Sequence, residues 1–200
     1  RAIMRQHQIS ALIIPTADPH LSEYVPEHWQ ARQYFSGFTG SAGVLVVQTE
    51  TAQLWTDFRY WEQAESELSG SQIILRKQQN GANHIADLAQ TLPENARVAI
   101  APDSISLAEQ KRIQAAFSAK NIVLWMERDL AAEVWGDARP SLPTAPVFAQ
   151  KSEFVSQSVA EKLARVREKM CEQGANWHLI STLDDIAWMT NLRGSDIEYN

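Results

Sequence analysis

Val98–Trp125 reads VAIAPDSISLAEQKRIQAAFSAKNIVLW and sets two short apolar runs on either side of one helical pattern. Val98-Ala99-Ile100 and Ile122-Val123-Leu124-Trp125 are brief and bounded by turn residues, as buried strands are. Between them Ser106-Leu107-Ala108-Glu109 has the spacing of a capping box, in which Ser accepts from a free backbone N–H and Glu reaches back. That box opens a helix running to Phe117. A strand, a helix and a strand in succession argue for a mixed or parallel sheet covered by helices, an α/β fold.

The pattern extends upstream. Ile73-Ile74-Leu75 reads as a strand and His84 to Ala89 as a helix. Val44-Leu45-Val46-Val47 and Ala52-Gln53-Leu54-Trp55 flank the polar Gln48-Thr49-Glu50-Thr51, which predicts a β-hairpin. A helix is expected from about Arg59 to Leu68, with Gly70 at its end. Ala11-Leu12-Ile13-Ile14 is a short buried strand stopped by Pro15, after the end of a helix over Arg1 to His7. Thr16 to Gly43 is rich in Pro, Gly, Ser, Asp and aromatics. It is expected to be a functional loop or broken local helices.

Downstream, Pro140, Pro143 and Pro146 exclude helix and central strand, so residues 139–151 are expected to be a linker. Ser158-Val159-Ala160-Glu161 is a second capping box. It opens a helix with Val159, Leu163, Val166 and Met170 on one face, ended by Gly174. Trp177-His178-Leu179-Ile180 reads as a strand, and Thr182 caps one more short helix. Shifting the chain by 166 residues lays Met4 on Met170, Ile14 on Ile180, Thr16 on Thr182 and Asp18 on Asp184. Such an echo suggests that a second, similar domain starts at 152–200 as the first does at 1–138.

Composition sets the outer limits. Of 200 residues, 44% are apolar and 21% charged, enough apolar material for a core. The net charge of −6 and the lack of any Lys/Arg run argue against a nucleic-acid partner. No stretch approaches the roughly 20 apolar residues of a membrane span. The single cysteine, Cys171, excludes an internal disulfide and fits a reducing compartment. The chain opens with Arg1 and closes on Asp196-Ile197-Glu198-Tyr199-Asn200 without a stop signal, so both ends are expected to be internal to a longer protein.

Several strings invite chemistry and yield to plainer readings. Asp18-Pro19-His20-Leu21-Ser22-Glu23 offers metal-ligand types, but the five histidines show no His-x-x-x-His spacing. Asp18 is expected to cap a turn. Ser36-Gly37-Phe38-Thr39-Gly40-Ser41-Ala42-Gly43 is glycine-rich without the Gly-Lys-Ser/Thr ending of a phosphate loop, so backbone geometry is its expected role. It also lacks the Gly-x-Ser-x-Gly spacing of a nucleophile elbow. Trp55-Thr56-Asp57-Phe58-Arg59-Tyr60 places an acid, an arginine and a tyrosine at a strand end. There Asp57 is either an N-cap paired with Arg59, or Arg59 is an exposed ligand for a carboxylate. Arg193 and Asp196 follow a helix stop and are suited to pair with each other.

Taken together, Asp18–Tyr24, Phe35–Gly43 and Trp55–Tyr60 resemble the first domain of three-domain Xaa-Pro aminopeptidases of the creatinase/prolidase type. Val134-Trp135 and Arg139-Pro140 stand where that family has its Trp and Arg-Pro before the linker. Leu183–Asp196 resembles the early part of its second domain. The resemblance spans nearly the whole chain, and the order of the strings makes it specific.

The resemblance implies a non-catalytic N-terminal part of a metallo-exopeptidase. The whole enzyme would remove the residue before a proline from short peptides. A creatinase-like catalytic domain beyond Asn200 would hold two divalent metals, manganese or alternatively zinc, which generate the nucleophile by lowering the pKa of bound water. No metal or catalytic residue is then expected in this chain. Arg59 is the one carried-over substrate-binding residue, from a family Asp-Gly-Arg-Tyr motif matched by Asp57-Phe58-Arg59-Tyr60 with Phe58 in place of Gly. A cytoplasmic homodimer with neither nucleic-acid nor membrane partners completes the expectation. The rival readings are a non-enzymatic peptide- or protein-binding module with a degenerate peptidase fold, and a related enzyme acting on another C–N bond.

Overall fold

The computed structural model describes residues 1–79 and 81–197, and the chain divides into two compact units, Arg1–Ser141 and Leu142–Asn200. The first unit holds helices α1 (Ala2–Gln6), α2 (Ala31–Ser36), α3 (Trp61–Glu67), α4 (His84–Thr91), α5 (Leu107–Phe117) and α6 (Leu130–Trp135). Its strands are β1 (Ala11–Pro15), β2 (Val44–Gln48), β3 (Ala52–Thr56), β4 (Ile73–Lys77), β5 (Arg97–Ile100) and β6 (Val123–Trp125).

These six strands form one sheet in the order β4-β3-β2-β1-β5-β6. β1 pairs antiparallel with β2 and parallel with β5; β2 and β3 form the expected hairpin; β3–β4 and β5–β6 are parallel. The expected mixed sheet flanked by helices is thus the observed one.

Successive strand side chains point to opposite faces, and both faces are covered. Leu12, Ile14, Leu45 and Leu54 pack on one side with Met4 of α1, Ala64 of α3 and Leu130 of α6. Ala11, Ile13, Val46, Val98 and Ile100 pack on the other with Ile85 and Leu88 of α4 and Ile113 and Phe117 of α5. β1 is one of the two central strands, which explains its unbroken apolar run from Ala11 to Ile14, all buried.

Local chemistry departs from expectation in a few places. Ser106 caps α5 by accepting from the Glu109 N–H, but the Glu109 carboxylate turns to Arg112, so the box is only half made. The helix expected from Arg59 starts as a 3₁₀ turn, Phe58–Tyr60, before α3. α2 and α6 form inside segments without helical periodicity. For α6 the caps suffice: Asp129 accepts from the Ala132 N–H, and Gly136 follows with φ +58°.

The second unit contains β7 (Phe148–Ala149), α7 (Val159–Glu172), α8 (Leu183–Thr190) and β8 (Leu192–Arg193), with β7 and β8 antiparallel. The Ser158–Glu161 capping box is complete in both directions. Lys162 is buried; its Nζ donates to the Trp188 carbonyl and the Asn191 side-chain oxygen, which ties α7 to the C-terminal end of α8. Trp177-His178-Leu179-Ile180 is not a strand, and Trp177 and Leu179 are 91% and 90% exposed. A strand exists only through its ladder. The corresponding β1 lies between two partners, whereas residues 177–180 have no ladder partner among the described residues.

Candidate functional site

Asp57 ends β3 in an extended conformation and caps the following 3₁₀ turn, its Oδ1 accepting from the Arg59 N–H at 3.1 Å. The Arg59 guanidinium folds back on the same carboxylate, Nε to Oδ1 and Nη2 to Oδ2, each at 2.8 Å. The cap and the pair of the first reading are therefore both present, and the Arg59 side chain is still 57% exposed. A planar fork on a carboxylate fixes the guanidinium more firmly than a single contact would. The hydrogen bonds from Arg59 hold the Asp57 carboxyl below its ordinary pKa, and the same pairing pushes Arg59 up. Three N–H groups of the guanidinium remain beyond those two bonds. Phe58 stands beside it, 74% exposed and with a negative φ, so the residue in the family's Gly position leaves the turn unstrained.

The glycine-rich loop forms the neighbouring wall. Gly37 ends α2 with φ +71°, a conformation that favours glycine. A Cβ on Gly40 would lie 2.2 Å from Phe38 Cζ and 2.8 Å from Tyr60 Cδ1, so no side chain fits there. Tyr60 Oη and Ser41 Oγ are 2.6 Å apart, and Thr56 Oγ1 donates to the Ala42 carbonyl at 2.7 Å. The Thr39 N–H donates to Glu67, whose carboxylate also accepts from the Thr39 hydroxyl and the Gln63 amide. Burial works against the Glu67 charge, but these bonds and the Arg32 charge outweigh it and hold the carboxyl below its ordinary value. A carboxylate on this N–H opposes an anion, and the expected role in backbone geometry fits better than phosphate binding.

Arg32 is the centre of this wall and was not singled out by sequence reasoning. Only 4% exposed, it donates to Thr16 Oγ1 at 2.6 Å, to the Phe38 carbonyl at 2.8 Å and to the Gly40 carbonyl at 2.5 Å. Its guanidinium also lies 4.9 Å from the Phe38 ring centroid. Burial lowers its pKa to about 10, so it stays charged at neutral pH. A lone Arg between aromatics carries no sequence signal that it will be buried. Glu67 was detectable as the i+4 partner of Gln63 on α3.

Asp18 caps a turn as expected, its Oδ1 accepting from the His20 and Ser22 N–H groups at 2.9 and 3.0 Å. Asp196 accepts from the Ala145 N–H within the second unit. Arg139 donates to the His28 carbonyl and lies 4.0 Å from Asp129, which fixes the start of the Pro-rich stretch to the first unit. Among the described residues no three His, Cys, Asp or Glu side chains converge as metal ligands. The Asp57 carboxylate is taken by Arg59, and that of Glu67 by Thr39 with Gln63. The donors present do not fit a dinuclear metal centre. No helix among the described residues is long and apolar enough to cross a membrane.

Residues 1–126 match the family model described as Creatinase/Prolidase N-terminal domain, and residues 138–200 match a second model of the same description. The chain belongs to the creatinase/prolidase N-terminal domain family. Among its relatives it is 40% identical over 194 residues to Xaa-Pro aminopeptidase ApepP of Drosophila melanogaster, covering 96% of this chain and 32% of that protein. It is 37% identical over 195 residues to Aminopeptidase P2 of Arabidopsis thaliana, covering 96% of this chain and 28% of the relative. The crystal structure of X-prolyl aminopeptidase from Caenorhabditis elegans, described as a cytosolic enzyme with a di-nuclear active site, superposes with a TM-score of 0.89 at 27% identity, over 96% of this chain and 32% of that one. This creatinase/prolidase chain thus spans about a third of the length of these relatives.

Proposed function

We propose that this chain is the non-catalytic N-terminal part of a metal-dependent Xaa-Pro aminopeptidase, a metallo-exopeptidase that removes the residue preceding proline from short peptides. In this reading residues 1–138 are the first creatinase-like domain, 139–151 a linker, and 152–200 the start of a related second domain. The two divalent metals, manganese or alternatively zinc, belong to a catalytic domain outside this chain. The whole enzyme is a cytoplasmic homodimer, and this region bounds the substrate entrance and supports the dimer contacts. Likeness along nearly the full chain to named Xaa-Pro aminopeptidases supports the reading.

Arg59 is the substrate contact. The observation that carries this is the fork from Asp57, which presents an exposed guanidinium already aimed and largely neutralised. A neutralised guanidinium with spare N–H donors suits an uncharged acceptor, so it binds a peptide carbonyl rather than a carboxylate. Loss of one such hydrogen bond to a charged donor corresponds to about 1.5–3 kcal/mol. Arg59→Ala in the full-length enzyme should therefore lower kcat/KM for an Xaa-Pro peptide roughly tenfold to a hundredfold, with Arg59→Lys recovering part. Unchanged kcat/KM in both variants removes Arg59 from the site. Deleting the region and comparing short with long Xaa-Pro peptides tests the entrance role; an unaltered length preference and assembly would refute it.

A further inference from the structure

β1 and β5 are adjacent and parallel, yet the chain leaves them toward opposite faces of the sheet. After β1 it runs to α2, whose Ala31 and Phe35 pack with the Leu12–Ile14 face, while after β5 it runs to α5, whose Ile113 and Phe117 pack on the other. Such a divergence opens a crevice beyond the carboxyl ends of the two strands. The crevice is present here, lined by Pro15 and Asp18 after β1, Ala101 and Ser104 after β5, and Trp135 and Arg139.

Two polar atoms of its lining residues lack partners. Asp18 is 1% exposed and Trp135 6%. Asp18 Oδ2 and Trp135 Nε1 are buried and have no hydrogen-bond partner among the described residues. Asp18 Oδ1 is already committed to the His20 and Ser22 N–H groups, and the Trp135 ring is stacked on Tyr34 with centroids 4.6 Å apart. Neither residue is therefore free to swing toward bulk solvent. One atom is an obligate acceptor when ionised and the other an obligate donor.

We propose that this crevice is a binding site for one buried water molecule, which donates to Asp18 Oδ2 and accepts from Trp135 Nε1. Size selects the ligand. The crevice holds about 30 Å³; a water needs roughly 10–15 Å³, and small-molecule pockets begin near about 300 Å³. Asp103 and Asp129 also line the crevice, but among the described residues no three carboxylate, imidazole or thiol side chains converge as cation ligands, and the indole N–H would point its positive end at a cation. Immobilising one water opposes the site less than leaving two buried groups unpaired. The bridge joins the turn after β1 to the end of α6, four residues before Arg139, which reaches the His28 carbonyl. This site is independent of the peptidase reading.

A high-resolution crystal structure of the protein tests the site without any substitution. The expected result is a single solvent peak within hydrogen-bond distance of both atoms. A dry crevice, a Ser22 hydroxyl turned onto Asp18 Oδ2 in its place, or a peak with cation coordination would overturn the proposal. Water-proton or oxygen-17 relaxation dispersion supplies a second readout: Trp135→Phe should lose one long-residence water relative to wild type, and an equal count in the two proteins would refute the bridge.

Discussion

Replacing Arg32 with Met removes the guanidinium while keeping much of the side-chain volume, so the effect reports on the polar clamp more than on packing. Three hydrogen bonds are lost, to Thr16 Oγ1 and the Phe38 and Gly40 carbonyls. Bonds from a charged donor are worth about 1.5–3 kcal/mol each. Against them stands the cost of burying the cation, net of the Glu67 and Tyr60 charges that favour it, on the order of 3 kcal/mol from the lowering of its pKa from 12.5 to about 10. The bonds outweigh the penalty, and the protein should lose about 3 kcal/mol, much of it from two carbonyls left buried without a donor. Urea unfolding should show a lower midpoint at unchanged slope. Arg32→Lys, with one compact charge, should fall between the two. Amide exchange should quicken at Thr39 and Ser41, because their loop hangs from the clamped carbonyls. An Arg32→Met protein within about 0.5 kcal/mol of wild type, with unchanged exchange in the loop, would mean that those carbonyls are satisfied without the guanidinium, and the clamp would be wrong.

Burial holds the His84 imidazole down at about 4 against an ordinary 6.5, with Glu109 and Arg112 of α5 as its charged neighbours. The unfolded chain therefore binds more protons between those values: this contribution is full above about pH 6.5 and falls by about 3 kcal/mol toward pH 4. Urea midpoints across that window should lose this slope in His84→Gln, and equal slopes in both proteins would refute it. Gly40→Ala places a methyl against Phe38 and Tyr60 and should cost about 1–3 kcal/mol, read as a lower Tm. Lys162→Met should free the C-terminal carbonyl of α8 at Trp188 and destabilise the second unit by about 1–3 kcal/mol, read from amide exchange confined to α7 and α8.

The sheet was legible because its strands are short apolar runs separated by turn residues, and α7 because Ser158 with Glu161 announces a helix start in four letters. α6 was not expected: six residues are too few to show a period, and its only marks are the caps Asp129 and Gly136. The run at Trp177–Ile180 has the composition of a strand, and pairing, which composition does not carry, decides otherwise. At the site, sequence pointed to Arg59 and its Asp57 partner. It did not point to Arg32, whose burial depends on carbonyls six and eight residues away that turn toward it only once the loop has closed. The half-made box at Ser106 shows the same limit: Arg112, at i+3, competes for the Glu109 carboxylate and wins.

The place of β1 at the middle of the sheet has a kinetic consequence. Its antiparallel partner, β2, follows within the same stretch of chain, but its parallel partner begins only at Arg97. During synthesis at about 5–20 residues per second, Ala11–Ile14 wait several seconds with one backbone edge unladdered. For that interval a hydrophobic strand with an open edge is a template for foreign strands. The nascent chain is thus most vulnerable to misassociation before Ile100 has emerged, and a holdase bound to Ala11–Ile14 would protect it best in that interval.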